Sequence, residues 1–287
     1  MAKTNDCWLN GKFSLLADTR IPAMDRGFLF GDGVYEVVPV YHRRPFFWRR
    51  HLSRLRRSLR EARMVFDTAT LQKPARELIR AQPFADIALY IHISRGVQAQ
   101  RRHSFDDDAK PSALMAVWRL PKPSRGDITK GVHCITEEDF RWRRGDIKCT
   151  SMLAAVLLSR RAQDAGAAEV VLFRNGILTE SAAANVAIVG GGEVRIPKAD
   201  DNVLRGITAF DALRMAAKNA GLPFRACQIT RPEVAAADEV WLCSSTKNIL
   251  PVVMLDGIAI GNGKPGKTYR RARAAMNQLI NAHCRGE

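Results

Sequence analysis

An α+β (α/β) fold in two domains is what this sequence predicts, on three observations. Strand-length runs of β-branched and aromatic residues are interspersed with Arg-, Leu- and Ala-rich stretches of helical period along the whole chain. Residues 120–126, LPKPSRG, gather two prolines, a serine and a glycine near the middle, a linker signal. The 287 residues amount to roughly two domains of ordinary size.

Taken in order, Trp8-Leu9-Asn10-Gly11-Lys12 is a strand entering a tight Asn-Gly turn. Residues 34–41, VYEVVPVY, form a second strand. In the Arg-rich stretch 43–60, Leu52, Leu55 and Leu59 recur at helical spacing, which sets eight arginines around an amphipathic helix. A helix over 71–81 and strands at 87–94 and 113–119 complete a small first domain, residues 1–119. After the linker at 120–126, the larger domain, 127–287, takes strands at 132–136, 169–173 and 185–189 and helices at 151–165, 208–220 and 268–283. Asn175-Gly176 and the three glycines at 190–192 are turns. Two such lobes predict a cleft between them for a small molecule.

Composition narrows the function classes. The net charge of +16 comes from 33 Arg and 12 Lys against 29 acidic residues, which raises nucleic-acid binding as a rival reading. No RNA-binding aromatic signature, zinc finger or basic zipper accompanies the charge, so it fits the wet face of a helix and specific nucleic-acid binding is not expected. Six scattered cysteines without a CxxC pair argue against a zinc site or disulfide framework and suit a reducing cytosol. With no signal-peptide pattern and no long apolar run, the expected setting is cytoplasmic, without a membrane partner.

Residue by residue, three places could carry chemistry. Lys148 lies between a strand-like segment and a helix start, where a desolvated amine becomes a Schiff-base nucleophile; elsewhere a single lysine is a surface residue. Gly206 in Leu204-Arg205-Gly206-Ile207-Thr208 precedes a helix whose N–H groups could hold an anion, or is a turn with Thr208 as cap. Ser244-Ser245-Thr246 offers hydroxyls after a strand, or is a Ser/Thr turn.

In order along the chain, six motifs make a stronger case. Asp25-Arg26-Gly27-Phe28-Leu29-Phe30-Gly31-Asp32-Gly33-Val34-Tyr35-Glu36 resembles the opening signature of the fold-type-IV pyridoxal-phosphate enzymes. His51-Leu52-Ser53-Arg54-Leu55 matches the H-x-x-R-L of that family, and Asp146-Ile147-Lys148 its Schiff-base segment. Leu178-Thr179-Glu180-Ser181 through Asn185 resembles its glutamate motif, and Leu204–Thr208 and Ser244–Thr246 its phosphate loops. The resemblance covers roughly residues 5–270.

The resemblance implies pyridoxal 5′-phosphate as cofactor and a role for each matched residue. Lys148 would carry the cofactor as a Schiff base and shuttle the α-proton. Glu180 would keep the pyridine nitrogen protonated, so that the ring acts as an electron sink. Arg54 would pair with the phosphate, joined by the N–H groups of Ile207 and Thr208 and the hydroxyls of Thr208 and Ser245. Leu204 would pack on the ring, and Tyr35 would lie near Lys148 and the substrate carboxylate.

Within the family, the loop Ser94–His103 resembles that of the D-amino-acid aminotransferases, where an R-x-H pair from the neighbouring subunit of a homodimer binds the α-carboxylate. Arg101 and His103 fit that spacing, and Arg102 is the rival arginine, since the loop is one residue longer before the pair. Expected substrates are D-amino acids and 2-oxo acids. The alternatives on the same scaffold are an L-branched-chain aminotransferase and aminodeoxychorismate lyase. Ala182, Ala183 and Ala184 stand where the D-specific enzymes commonly carry serines, a departure that bears on rate and substrate range.

Overall fold

The computed structural model describes residues 5–106 and 108–286. The chain divides into two compact units, Met1–Leu120 with Ile147–Met152, and Pro121–Asp146 with Leu153–Glu287. The segment carrying Lys148 therefore groups with the first unit.

Among the described residues, the first unit builds a sheet from β1 (Cys7–Leu9), β2 (Lys12–Ser14), β3 (Gly33–Tyr41), β4 (Arg44–Pro45), β5 (Ile87–Ser94) and β6 (Ser112–Arg119), in the order β2-β1-β6-β5-β3-β4. β3, β5 and β6 are its long antiparallel centre. Three helices accompany them: α1 (Arg26–Phe30), α2 (Trp48–Glu61) and α3 (Gln72–Ala81). The expected stripe holds: Leu52, Leu55 and Leu59 of α2 are buried with Val38 and Val40 of β3 and Ile91 of β5. Seven of the eight arginines in 43–60 are exposed or half-buried, as a wet face requires; Arg54 alone is buried.

α1 is short because the chain caps it at both ends. Asp25 accepts the Gly27 N–H at 2.8 Å. Gly31 closes it in the left-handed conformation, φ 64°, which a side chain would strain.

In the second unit the chain runs α4 (Arg125–Lys130), β7 (Val132–Glu138), α5 (Leu153–Asp164), β8 (Glu169–Arg174), β9 (Ile177–Ser181), β10 (Asn185–Gly190), β11 (Glu193–Pro197), a π-helical stretch Thr208–Leu213, α6 (Arg214–Asn219), β12 (Phe224–Cys227), α7 (Arg231–Ala235), β13 (Glu239–Ser244), β14 (Asn248–Leu255), β15 (Ile258–Ala259) and α8 (Lys267–Arg285). The described strands order as β12-β11-β10-β13-β14-β7-β8-β9, with β15 on β14. Val171, Phe173, Val186, Ile188, Val240, Leu242 and Val252 fill its core, and Leu158 and Ala162 of α5 pack on Val170 and Leu172.

Turn chemistry sets the register that places the site residues. Asn175 and Gly176, φ 52° and 75°, make the tight turn between β8 and β9, so Glu180 enters the sheet four residues later with its carboxylate buried. Residues 245–247 link β13 to β14, with Ser244 facing Asn248 across the ladder.

Two features depart from the sequence-based expectation. The helix expected over 208–220 opens as a π-helical stretch before turning α at Arg214. Among the strands not anticipated are β9, β11, β12 and β14, and β13 was expected only as the strand before Ser244; β13 and β14 are near-continuous apolar runs, without the alternation that marks a half-buried strand.

Candidate active site

In the first unit the site is organised by β3. Its neighbours Tyr35 and Glu36 point to opposite faces, as strand geometry demands. Lys148 is held against this strand by backbone bonds: the Tyr35 N–H donates to its carbonyl at 3.0 Å, Val34 and Cys149 form an isolated bridge, and the Thr150 N–H donates to Gly33 at 2.9 Å. The Lys148 N–H donates to Ser58 Oγ of α2 at 3.2 Å. Its Nζ stands 4.1 Å from the Tyr35 ring centroid. No carboxylate among the described residues lies within ion-pair distance of it. Tyr35 belongs to a row of rings on one face, with Tyr90 at 5.8 Å and Trp118 at 6.0 Å from Tyr90.

On the opposite face Glu36 is wholly buried. Arg54 Nε and Nη2 donate to its two oxygens at 2.7 Å each, a bidentate pair, and His51 Nδ1 lies 2.7 Å from Oε2. Burial alone would raise the Glu36 pKa, yet Arg54 and His51 bring it down to about 2. The His51 pKa is pushed below its usual 6.5 by the same burial, against the pull of Glu36, so the imidazole is neutral and donates from Nδ1. Both polar residues that define H-x-x-R-L thus meet one carboxylate, and Arg54, expected at a phosphate, already grips Glu36 with two of its N–H groups.

The second unit builds its own constellation around Glu180 of β9. Arg141 Nη1 donates to Oε1 at 2.6 Å; Asn185 Nδ2 and the Leu204 N–H each donate to Oε2 at 3.1 Å. Arg141 is fixed by buried Asp139, which accepts its Nε and Nη2 at 2.9 Å each and the Thr179 hydroxyl at 2.8 Å. Burial works against the charge on Arg141, but the Asp139 bond and the Glu180 charge hold its pKa above the ordinary guanidinium range. Sequence reasoning gave Arg141 no role. Arg141 and Glu180 are 39 positions apart, and no local pattern links them.

Leu204 contributes its N–H to Glu180 and its carbonyl to Asn185 Nδ2 at 2.9 Å, while its side chain is half-buried. Gly206 is required here, since a Cβ would sit 1.8 Å from Asn185 Oδ1. Ile207 and Thr208, both buried, open the helical stretch, where first-turn N–H groups precede any intrahelical acceptor. Ser245 is half-buried in the turn after β13, and the Lys247 N–H donates to Ser244 Oγ at 3.2 Å.

Arg101, Arg102 and His103 lie on an exposed loop of the first unit. Arg101 stacks over Phe30, 4.9 Å from its centroid, and His103 tilts against the same ring at 5.4 Å. Arg102 instead pairs with Asp106. The structure thus groups Tyr35 and Lys148, Arg54 with Glu36, Arg101 with His103, and Glu180 with Leu204 and Asn185.

The chain has relatives among known proteins. The chain matches the amino-transferase class IV family over residues 33–255, and it belongs to that family. Among its relatives are the D-alanine aminotransferase of Bacillus licheniformis, 32% identical with 94% of this chain and 95% of that one covered, and that of Listeria monocytogenes, 34% identical with 93% of each covered. The fold is shared with the branched-chain amino acid aminotransferase of Escherichia coli, TM-score 0.89 at 23% identity over 97% and 95% of the two chains. It is shared too with the T.th. branched-chain amino acid aminotransferase complexed with N-(5′-phosphopyridoxyl)-L-glutamate, TM-score 0.84 at 22% identity over 98% and 96%.

Each unit by itself carries residues that suit pyridoxal phosphate: in the first, an amine with no carboxylate at ion-pair distance among the described residues, which suits the aldehyde; in the second, a buried carboxylate that suits the pyridine nitrogen and a glycine whose missing Cβ keeps Asn185 on that carboxylate. Helix-start N–H groups and hydroxyls suit the phosphate.

The buried histidine predicts a pH dependence of folding. His51 has a folded pKa below 6.5, so below that pH the unfolded chain takes up a proton that the folded chain refuses, and stability falls as the pH drops. Glu36, with a folded pKa of about 2, contributes fully above 4.5 and loses its contribution only as the pH falls toward 2. Between pH 7.5 and 5.5 the slope therefore comes from His51, with His92, also lowered by burial, adding to it. Urea unfolding of the apoprotein should lose up to about 1.4 kcal/mol per pH unit per such group. His51→Gln should be less stable at pH 7.5 but show a shallower slope; an unchanged slope would remove His51 from the account.

Proposed function

We propose that this enzyme transfers amino groups between D-amino acids and 2-oxo acids, of the type D-alanine plus 2-oxoglutarate giving pyruvate plus D-glutamate, with pyridoxal phosphate on Lys148. The observation that carries the reading is the Arg101/His103 pair set side by side against Phe30, in a chain whose relatives include D-alanine aminotransferases.

When bound, pyridoxal phosphate supplies an aldehyde for imine formation and a ring that draws electrons from the substrate α-carbon. The chain's residues do the rest. Lys148 Nζ takes the α-proton and returns it as general base and acid. Glu180 holds the proton on the ring nitrogen, while Arg141 and Asn185 fix the direction of its carboxylate. Arg54 would contribute to holding the phosphate, as would Ile207, Thr208 and Ser245. Leu204 packs on the ring. Tyr35, beneath the amine, borders the substrate.

Arg101 and His103 hold the α-carboxylate, and the position of that carboxylate decides which Cα substituent faces Lys148. Stereochemistry thus follows from the trap, and side-chain size is secondary.

A homodimer suits the exposed apolar stripe on α5, where Leu153, Val156 and Leu157 are 73%, 60% and 50% exposed at helical spacing. Among the described residues the cysteines form no disulfide, which suits a reducing cytosol, where we place the enzyme. Among the described residues no helix is long and apolar enough to cross a membrane.

Borohydride reduction of the holoenzyme should fix the cofactor on Lys148 in the peptide map, and Lys148→Ala should abolish turnover; an adduct on another lysine would contradict the assignment. In a coupled assay D-alanine should react and L-leucine should not; the reverse would make this a branched-chain enzyme.

Arg101→Ala should raise KM for D-alanine and D-glutamate together, by the roughly 1.5–3 kcal/mol of a charged hydrogen bond, or about tenfold to a hundredfold. Arg102→Ala should be milder. If Arg102 proves the sensitive residue, the trap is shifted by one position.

A further inference from the structure

Of the charged residues in the opening signature, Arg26 has no part in the mechanism above. Arg26 is 4% exposed, and its guanidinium is spent almost entirely on the loop 98–104. Nη1 donates to Gln98 Oε1 and to the Arg102 carbonyl at 2.7 Å each and to the Ser104 carbonyl at 3.3 Å; Nη2 donates to the His103 carbonyl at 3.0 Å. Three consecutive carbonyls thus converge on one planar fork.

The fork is itself anchored. Arg26 Nε donates to Asp32 Oδ2 at 2.7 Å, and Asp32 also takes Arg95 Nε and Nη2 at 2.8 and 3.1 Å. Burial would raise the Asp32 pKa, but the two arginines hold it below the usual carboxylate value. Arg95 stacks on Phe105 at 3.6 Å from the centroid, just past the loop. Phe30 lies between the two sides, 4.8 Å from Arg26 and 4.9 Å from Arg101.

The loop has little else to define it. Arg101, Arg102, His103 and Ser104 are exposed, and beyond the Phe30 contacts of Arg101 and His103 and the Arg102–Asp106 pair they have little side-chain packing to select one backbone path. Its conformation comes from the polar bonds at its inner edge.

We propose that Arg26 is the positioning residue of the carboxylate trap: by gripping the carbonyls of Arg102, His103 and Ser104 it sets where Arg101 and His103 present their N–H groups, and thereby the enzyme's affinity for amino and oxo acids. This rests on the reading that Arg101 and His103 bind the α-carboxylate. Lysine would keep the charge at this position, but a single ammonium cannot span acceptors that the fork reaches with separate nitrogens.

The test uses the holoenzyme and Arg26→Lys. KM for D-alanine and for 2-oxoglutarate should rise about tenfold or more, since a misplacement near 1 Å costs up to ~10²-fold in such contacts. Turnover at saturation should stay within about twofold, as the proton-transfer groups are untouched. Cofactor absorbance and retention on dialysis should match the parent.

D-alaninol, which lacks the carboxylate, should react in the half-reaction at the parent's kcat/KM. In an Arg101→Ala background Arg26→Lys should add little, the mark of two residues acting through one contact. A general structural role predicts instead that D-alaninol turnover and cofactor retention fall along with KM, and that result overturns the proposal.

If Arg26→Lys does not fold, Gln98→Leu removes one of the same bonds and should give the same pattern in weaker form, about threefold in KM, because the fork keeps its bonds to the three carbonyls; an unchanged KM overturns the proposal. Should Arg101→Ala and His103→Ala both leave KM unchanged, the trap reading fails and this proposal with it. Should they raise KM while Arg26→Lys does not, only the role of Arg26 is lost.

Discussion

A carboxylate with no access to water has to be paired, and Glu36 imposes that condition on the first unit. It is 0% exposed on the central strand, and the partners that neutralise it, Arg54 and His51, both come from one helix. Removing either partner would leave a buried charge or an unmet acceptor, at a cost of several kcal/mol. The helix is therefore locked in rotation as well as in depth, with Leu52, Leu55 and Leu59 inward. The same helix presents Ser58 to the Lys148 backbone. Tyr35, next to Glu36, points the other way, toward the Lys148 amine. One strand thus separates a buried electrostatic anchor on one face from the Lys148 amine beside Tyr35 on the other.

The second unit solves a similar problem with different residues. Glu180 is oriented by Arg141, Asn185 and the Leu204 backbone, and Arg141 is in turn held by Asp139, which also meets Thr179. Each polar group is satisfied by another that is itself fixed, the condition under which a buried network is rigid. The three alanines after Ser181 remove hydroxyls from the motif, yet Glu180 is oriented by Arg141, Asn185 and the Leu204 N–H, which lie outside those three positions.

Much of this was legible in the residues themselves. The period-3.6 leucines placed α2, the Asn-Gly pairs placed two turns, and the spacing of six motifs singled out Lys148, Glu180, Arg54 and Gly206. What stayed hidden are contacts across long sequence separations: Arg141 with Glu180 is 39 residues apart, and Arg26 with the loop carbonyls is 76 to 78. No local period encodes such a pairing. An arginine among 33 arginines carries no mark of being buried. β14 escaped for a related reason: a strand covered on both faces loses alternation, and Pro251 within it argues locally against a strand. Pro251 pairs with Trp241 of β13, and pairing with β7 begins only at the next residue, Val252.

The central claim is that the carboxylate trap makes Lys148 act on the α-proton of D-amino acids. Proton NMR of the holoenzyme in deuterium oxide, with D-alanine in one sample and L-alanine in another, tests it without a coupling enzyme. The account predicts that the α-proton of D-alanine is lost to solvent exchange, that the L-alanine signal persists over the same period, and that Lys148→Ala exchanges neither. Exchange of L-alanine with retention of the D-alanine signal would contradict it.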